Sequence, residues 1–410
     1  MERYSEYKDS GVQWLGEIPG HWRCVLIHRL FNIKAGGDVK PDFFSDKKDD
    51  SHPYPVYTNT KSANDIYAYT SLATCPGNSI TVTGRGEVGH AIYREKPYDA
   101  IIRLLSSSPK NTNIVCKFYA YFIDTVIPFT SDSAAIGQLS AIQIKAKHVT
   151  LPSLSEQHSI VSYLDDKCGK IDKMLEGKQK QIELLAEMKQ RIIADAVTRG
   201  LNPDVKMKAT NIPWLPEIPE HWELRKMKYL FRERSEKNHP TEPMLSATQT
   251  HGVILQSKYS GRVVVVNTGF EGLKLVKVGD FVIHLRSFQG GIELAYDQGI
   301  ISSAYTILSL NDSTQSDYFR YLFKSIPFID LLKTCVTGIR EGQNINYAKL
   351  KQNRIPLPPL DEQRSIVSYI TDKTAKIDTL TGKLQQEIES IKEYKQRLIS
   401  DVVTGQIKVC

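Results

Sequence analysis

Gly84, Gly86 and Gly89 stand in the spacing G-x-G-x-x-G after SITVT, a stretch that alternates as a strand does. Such a loop cradles a dinucleotide only where it opens a helix inside a βαβ unit, with an acidic residue about 20 positions further on. Here HAIYRE follows, which again alternates like a strand. The sequence contains no G-x-x-x-x-G-K-[ST] and no Asn/Asp-Pro-Pro-aromatic tetrapeptide, which argues against an ATPase and against an adenine methyltransferase. Cys24, Cys75, Cys116, Cys168, Cys335 and Cys410 are scattered, with no Cys-x-x-Cys and no histidine pattern suited to zinc, so they read as reduced thiols. His21 and His221 each precede a tryptophan and read as anchors, since a lone histidine cannot form a metal site. No catalytic residue, metal or cofactor is expected.

Other polar residues have the chemistry to read base edges. Arginine pairs bidentately with guanine, and asparagine or glutamine with adenine. Glycine turns present Arg85 and Glu87 in the first half of the chain, and Arg286, Ser287 and Gln289 in the second. The loop TGIREGQNIN adds Arg340, Gln343 and Asn344, whereas its counterpart SDSAAIGQLS lacks the arginine. For each of these residues a solvated turn is the competing reading. The formal charge of +7 falls entirely within residues 1–150 and 201–354, while residues 151–200 and 355–410 are balanced. A basic excess confined to those regions fits phosphate contact.

The elements that must carry these residues are set by an internal duplication. Residues 7–31 return as residues 207–231, so that Trp14, Leu15, Glu17, Ile18, Pro19, His21 and Trp22 reappear 200 positions later. A second block, residues 151–198, returns 206 positions later, with EQHSIVSYLDDKCGKID matching EQRSIVSYITDKTAKID. Between the blocks, residues 32–148 and 232–354 match poorly despite similar lengths. The order is therefore variable, repeated, variable, repeated. Repeats held alike suit a common partner, and divergent domains suit different targets.

Each second block is a long run without proline, rich in Glu, Gln, Lys, Ile and Leu, which predicts one long helix, with Ser155 or Asp361 placed to cap its start and Glu156 or Glu362 in its first turn. Ile377, Leu384, Ile391 and Leu398 recur every seven residues, and the first copy gives Ile171, Lys178, Leu185 and Ile192. This is a heptad seam interrupted by Lys178, Lys189 and Lys395. One such helix cannot bury its stripe, so the two copies are expected to pack together, and about 40 residues would span roughly 60 Å. The matched triplets Lys189, Gln190, Arg191 and Lys395, Gln396, Arg397 are candidates for an exposed partner-binding surface.

The fold class expected is α+β: two mixed, mostly β recognition domains separated by two long helices packed as an antiparallel coiled coil, with pseudo-two-fold duplication. The boundaries expected are 1–150, 151–206, 207–354 and 355–410. In the first variable region two strands around a glycine turn precede a helix at CKFYAYFIDTVI, and in the second, successive strands precede one helix at YFRYLFKSIPFIDLLK. No apolar run reaches the roughly 20 residues of a membrane span, and the polar start is unlike a signal peptide, so a cytoplasmic location is expected.

WLGEIPGHW and WLPEIPEHW before the variable regions, with LPSLSEQHSIVSYLD and LPPLDEQRSIVSYIT after them, resemble the specificity subunits of type I restriction-modification systems. The resemblance implies a non-catalytic subunit that binds double-stranded DNA through two target recognition domains, each reading half of a bipartite, asymmetric site. It implies as partners methyltransferase subunits, which carry S-adenosylmethionine and methylate adenine N6, and ATP-driven restriction subunits. The helices would act as ruler and docking surface. Two other readings stay open on the residues alone: a coiled-coil scaffold with no DNA affinity, and a nucleotide-dependent enzyme using the Gly84-Gly86-Gly89 turn.

Overall fold

The computed structural model describes residues 2–129, 138–261, 269–285, 287–311, 316–337 and 344–409. The chain forms two compact units, one of residues 1–178 with 385–410 and the other of residues 179–384. Each unit combines one variable region with a portion of both long helices.

In the first unit, strands Phe31–Ala35, Leu105–Pro109, Ser79–Val82 and Ala91–Arg94 lie side by side in that order, antiparallel throughout. The helix Cys116–Thr125 buries Phe118, Tyr119, Phe122 and Ile123 in the same core as Ile33, Ile80 and Val82. The expected strand, glycine turn, strand and helix are thus present. A second sheet, ordered Asp99–Ala100, Tyr54–Tyr57, Ala68–Thr70 and Phe44–Ser45, lies within the first variable region. Arg23–Leu26 pairs with His148–Leu151, so the chain enters and leaves the variable region through one antiparallel ladder.

The second unit repeats this plan. Phe231–Arg234, Thr306–Leu310, Phe281–Ile283 and Glu293–Leu294 take the same order, and Glu223–Lys226 pairs with Arg354–Leu357 as the entry and exit ladder. The single helix expected over YFRYLFKSIPFIDLLK is instead two, Ser316–Lys324 and Ile326–Thr334. Pro327 explains the break: it lacks the N–H that would continue the first helix and suits the first turn of the second, with Ser325 extended between them (ψ 145°).

The long helices span Leu154–Arg199 and Leu360–Val403. Their starts correct the capping expectation. Ser153, not Ser155, caps the first: its hydroxyl accepts from the Glu156 N–H at 3.3 Å, and the Glu156 carboxylate accepts from the Ser153 N–H at 3.0 Å. In the second copy proline occupies position 359, and Asp361 lies inside the first turn bonded to Arg364. Within the first unit the helices run antiparallel, because Asp172 meets Lys395 while Lys178 meets Glu387. Within the second, Lys189 meets Asp378 and Gly200 lies against Glu362, again in opposite directions. Each lysine that interrupts the heptad seam therefore reaches across to an acidic residue of the facing helix.

Candidate nucleic-acid interface

The repeated blocks hold the variable domains to the helices through a lock that occurs twice. Trp22 and Trp222 are fully buried. The Trp22 indole N–H donates to Glu156 at 3.0 Å and His21 lies 2.8 Å from the same carboxylate oxygen, while Trp222 and His221 bond Glu362 at the same two distances. Burial alone would raise the Glu156 carboxyl, but hydrogen bonds from Trp22, His21 and Ser153 outweigh it and lower the carboxyl from the usual 4.5 to about 2. The far end of the facing helix closes each lock. Gly405 lies against Pro19 and Trp22, and Gly200 against Pro219 and Trp222. Tyr7 donates to the Gly405 carbonyl at 2.9 Å, and Gln406 to the Glu17 carbonyl at 2.7 Å. This places the histidine-tryptophan pairs as structural anchors, as their sequence context suggests.

On the first variable domain, Arg85 and Glu87 are exposed on the turn between Ser79–Val82 and Ala91–Arg94. Gly86 and Gly89 have φ of 69° and 93°, which glycine adopts at little cost, and a strand follows. The G-x-G-x-x-G is therefore a hairpin turn and lacks the helix that a dinucleotide site requires. Asn59 braces the turn, its side-chain oxygen accepting from the N–H groups of Gly84 at 2.7 Å and Arg85 at 3.2 Å. Lys61 on the same loop pairs with Glu87. Arg94, buried, anchors this loop by donating to the Ala63 carbonyl at 2.7 Å, and its guanidinium stacks 3.5 Å over Tyr57. Burial lowers the Arg94 guanidinium from its usual value.

On the second domain the candidates separate. Ser287 is buried and its hydroxyl accepts from the His284 N–H at 2.9 Å, so it supports the short helix Ser287–Gly290 and is not available to a ligand. Gln289 is exposed on that helix, and Asn344 is exposed on the strand Asn344–Ile345. Arg286, Arg340 and Gln343 lie outside the described residues. Asn59 and Lys61 were not picked out from sequence, because the polar loop carrying them has no glycine turn or arginine to mark it.

The matched helix triplets also separate. Lys189 donates to Asp378 at 2.6 and 2.8 Å, and Lys395 to Asp172 at 2.6 Å, so these lysines serve the seam rather than an outer face. Gln190 has a buried side-chain oxygen without a partner among the described residues, and Gln396 lines a cleft of roughly 630 Å³ beneath the helix Cys116–Thr125. Gln396 is exposed as well, and the Arg191 and Arg397 side chains are exposed at 86% and 84%, each paired four residues on with Asp195 or Asp401. Among the described residues no cluster of histidine, cysteine and carboxylate suits a metal, and no helix is long and apolar enough to cross a membrane. Burial raises the thiols of Cys24, Cys168 and Cys116, the last to about 12.

Comparison with known proteins agrees with this architecture. The family model for the type I restriction modification DNA specificity domain matches twice, over residues 19–184 and 218–390. The EcoDI specificity subunit of Escherichia coli is 19% identical over 96% of this chain and 90% of its own length. The Mycoplasma pneumoniae protein S.MpnORF507P, a type I specificity subunit by name, is 31% identical over 40% of this chain, a match spanning 46% of that relative. A chain from the solved assembly of a type I R-M system superposes with a TM-score of 0.68 over 95% of this chain and 99% of its own, at 13% identity, which shows a shared fold. With both copies of its duplicated plan matched by the same model, the chain belongs to the type I restriction-modification DNA specificity family.

Proposed function

We propose that this chain is the non-catalytic, DNA-addressing subunit of a type I complex, in which each variable domain reads one half of a bipartite, asymmetric site. The observation that carries this reading is the repetition of one anchoring plan around two unlike surfaces. The same buried tryptophan, glutamate and glycine hold both domains to the helices, while a glycine hairpin in one stands where a short helix stands in the other. Two unlike readers on a common frame specify two unlike sequences at a fixed separation.

The helices, on this reading, also dock the methyltransferase subunits. Tyr163, Met174 and Met188 stand eleven and fourteen residues apart on the first helix, as do Tyr369, Leu380 and Tyr394 on the second. At about 100° per residue each trio keeps within roughly 40° of one face. Met174, Met188, Leu380 and Tyr394 are about half exposed, although large and apolar. In the first unit this face lies away from Asp165, which Lys117 and Tyr121 of the recognition domain cover. A duplicated apolar face beside Arg191 and Arg397 suits two copies of one partner. The methyltransferase subunits would supply the adenine methylation, and restriction subunits joining that core complex would supply the ATP-driven cleavage.

Mapping genomic adenine methylation with and without this gene tests the reading. One bipartite motif should vanish on deletion and return on complementation. An unchanged methylome in a strain that carries the methyltransferase would contradict it.

A further inference from the structure

Ile102 and Arg103 are consecutive non-glycine residues with φ of 53° and 59°. This left-handed region is uncommon for any side chain and an outlier for a β-branched one. The fold itself does not demand it. The same four-residue connection in the second domain, residues 302–305, leads into the equivalent strand and is closed by the same hydrogen bond, Tyr305 N–H to Ser302 carbonyl at 3.1 Å against Leu104 N–H to Ile101 carbonyl at 3.1 Å. That second turn contains no residue at positive φ. The strain therefore belongs to what the first domain's turn presents, and strain of this kind gathers at functional sites.

The turn is held from outside. The Asn59 side-chain amide donates to the Ile102 carbonyl at 2.7 Å while its oxygen accepts from Gly84 and Arg85, so one residue ties the 102–103 turn to the glycine hairpin. The two turns are in backbone contact: a Cβ atom on Gly84 would stand 2.7 Å from the Arg103 carbonyl oxygen. Arg85 and Arg103 thus emerge exposed from one rim, and among the described residues neither guanidinium has a hydrogen bond or ion pair. Beside them Ile102 exposes 39% of its surface. An exposed guanidinium fork matches guanine O6 and N7 or a phosphate, and an exposed aliphatic group matches a thymine methyl.

We propose that the Ile102–Arg103 turn is a DNA-reading tip of the first variable domain, with Arg103 the contacting side chain and Asn59 the residue that positions it. This rests on the DNA-addressing function above. The test uses the full chain with its methyltransferase subunit, comparing wild type, Arg103→Ala, Arg103→Lys, Asn59→Ala and the Asn59→Ala/Arg103→Ala double variant. If the wild-type complex gives no bipartite motif, the addressing function itself fails. Given a wild-type motif, Arg103→Ala should keep its melting temperature, weaken binding to the cognate duplex about 5- to 150-fold, and leave one half-site's sequence unchanged. If the Arg103 contact is to a base, Arg103→Lys loses binding as well and one position of the other half-site relaxes. If it is to a phosphate, Arg103→Lys retains binding and the salt dependence of Arg103→Ala becomes shallower. Asn59→Ala should cost nothing further in the Arg103→Ala background, whereas a purely structural role would give additive losses and overturn the positioning role. Wild-type affinity and an unchanged motif in Arg103→Ala overturn the proposal.

Discussion

The Trp22 indole N–H donates to Glu156 at 3.0 Å although 134 residues separate them in sequence, and Trp222 repeats the bond to Glu362 at the same distance. The variable domains are thereby fastened at the point where each helix begins. Because the Glu156 carboxyl is lowered to about 2 in the folded chain, the stability it contributes is complete above its usual 4.5 and is lost as pH falls toward 2. Glu156→Ala should cost roughly 2–3 kcal/mol at neutral pH, leaving a buried indole N–H unsatisfied. Denaturant titrations from pH 7 to pH 3 should show the gap between variant and wild type narrowing with acid; a constant gap would contradict the lock.

Lys178 occupies the seam position that Leu384 fills in the second copy, where the leucine is buried. Its ion pair with the half-exposed Glu387 is worth about 0–1 kcal/mol. Burying a leucine there would contribute about 1.5–3 kcal/mol. Lys178→Leu should therefore stabilise the chain by about 1 kcal/mol, read as a higher melting temperature, and destabilisation would show that the ion pair matters more than the seam.

Three glycines make a paired test of the frame. Gly405 has φ of 79° and an added Cβ would stand 2.4 Å from Pro19, so Gly405→Ala should destabilise the first unit by more than about 1 kcal/mol. Gly200, at φ of 75° with its Cβ position 3.0 Å from Glu362, should behave alike. Gly169 lies within the long helix with open space around it, and its repeat counterpart is Ala375. Gly169→Ala should stabilise by about 0.5–1 kcal/mol. Calorimetry of the three variants checks both signs.

Much of this frame is legible in the sequence, because duplication exposes it: the tryptophan blocks, the heptads and the proline-free helices all recur. The lysines in the seam look like interruptions until a facing acid is found, and Asp172 and Asp378 are recognisable as partners only once the helices are known to run antiparallel. The sequence offers Ser155 as the cap, and the true cap, Ser153, lies two residues earlier, a shift of the kind helix ends invite. The reading surface is harder to recover. Ser287 looks like a contact residue but is spent on a local hydrogen bond, and nothing about the letters Ile-Arg announces a left-handed turn at residues 102 and 103.

The proposed docking face gives a further prediction. Met174→Glu together with Leu380→Glu places charge at two equivalent, half-exposed positions and should leave the melting temperature nearly unchanged. Association with the methyltransferase subunit should weaken at least tenfold, about 1.4 kcal/mol, in a sedimentation or titration experiment. Unaltered association would move the docking surface elsewhere.

The central claim is that two readers are held at a spacing set by the paired helices, and the methylated motif itself reports on it. Both helices must be lengthened together, since Lys178 faces Glu387 and Lys189 faces Asp378. One heptad inserted at Gln181 and one at Gln385 preserves the seam and adds about 10 Å of rise, equivalent to roughly three base pairs of B-DNA. Sequencing the methylated sites of cells carrying this variant should return both half-sites unchanged with a gap about three base pairs longer. Altered half-sites at the original gap would contradict the account.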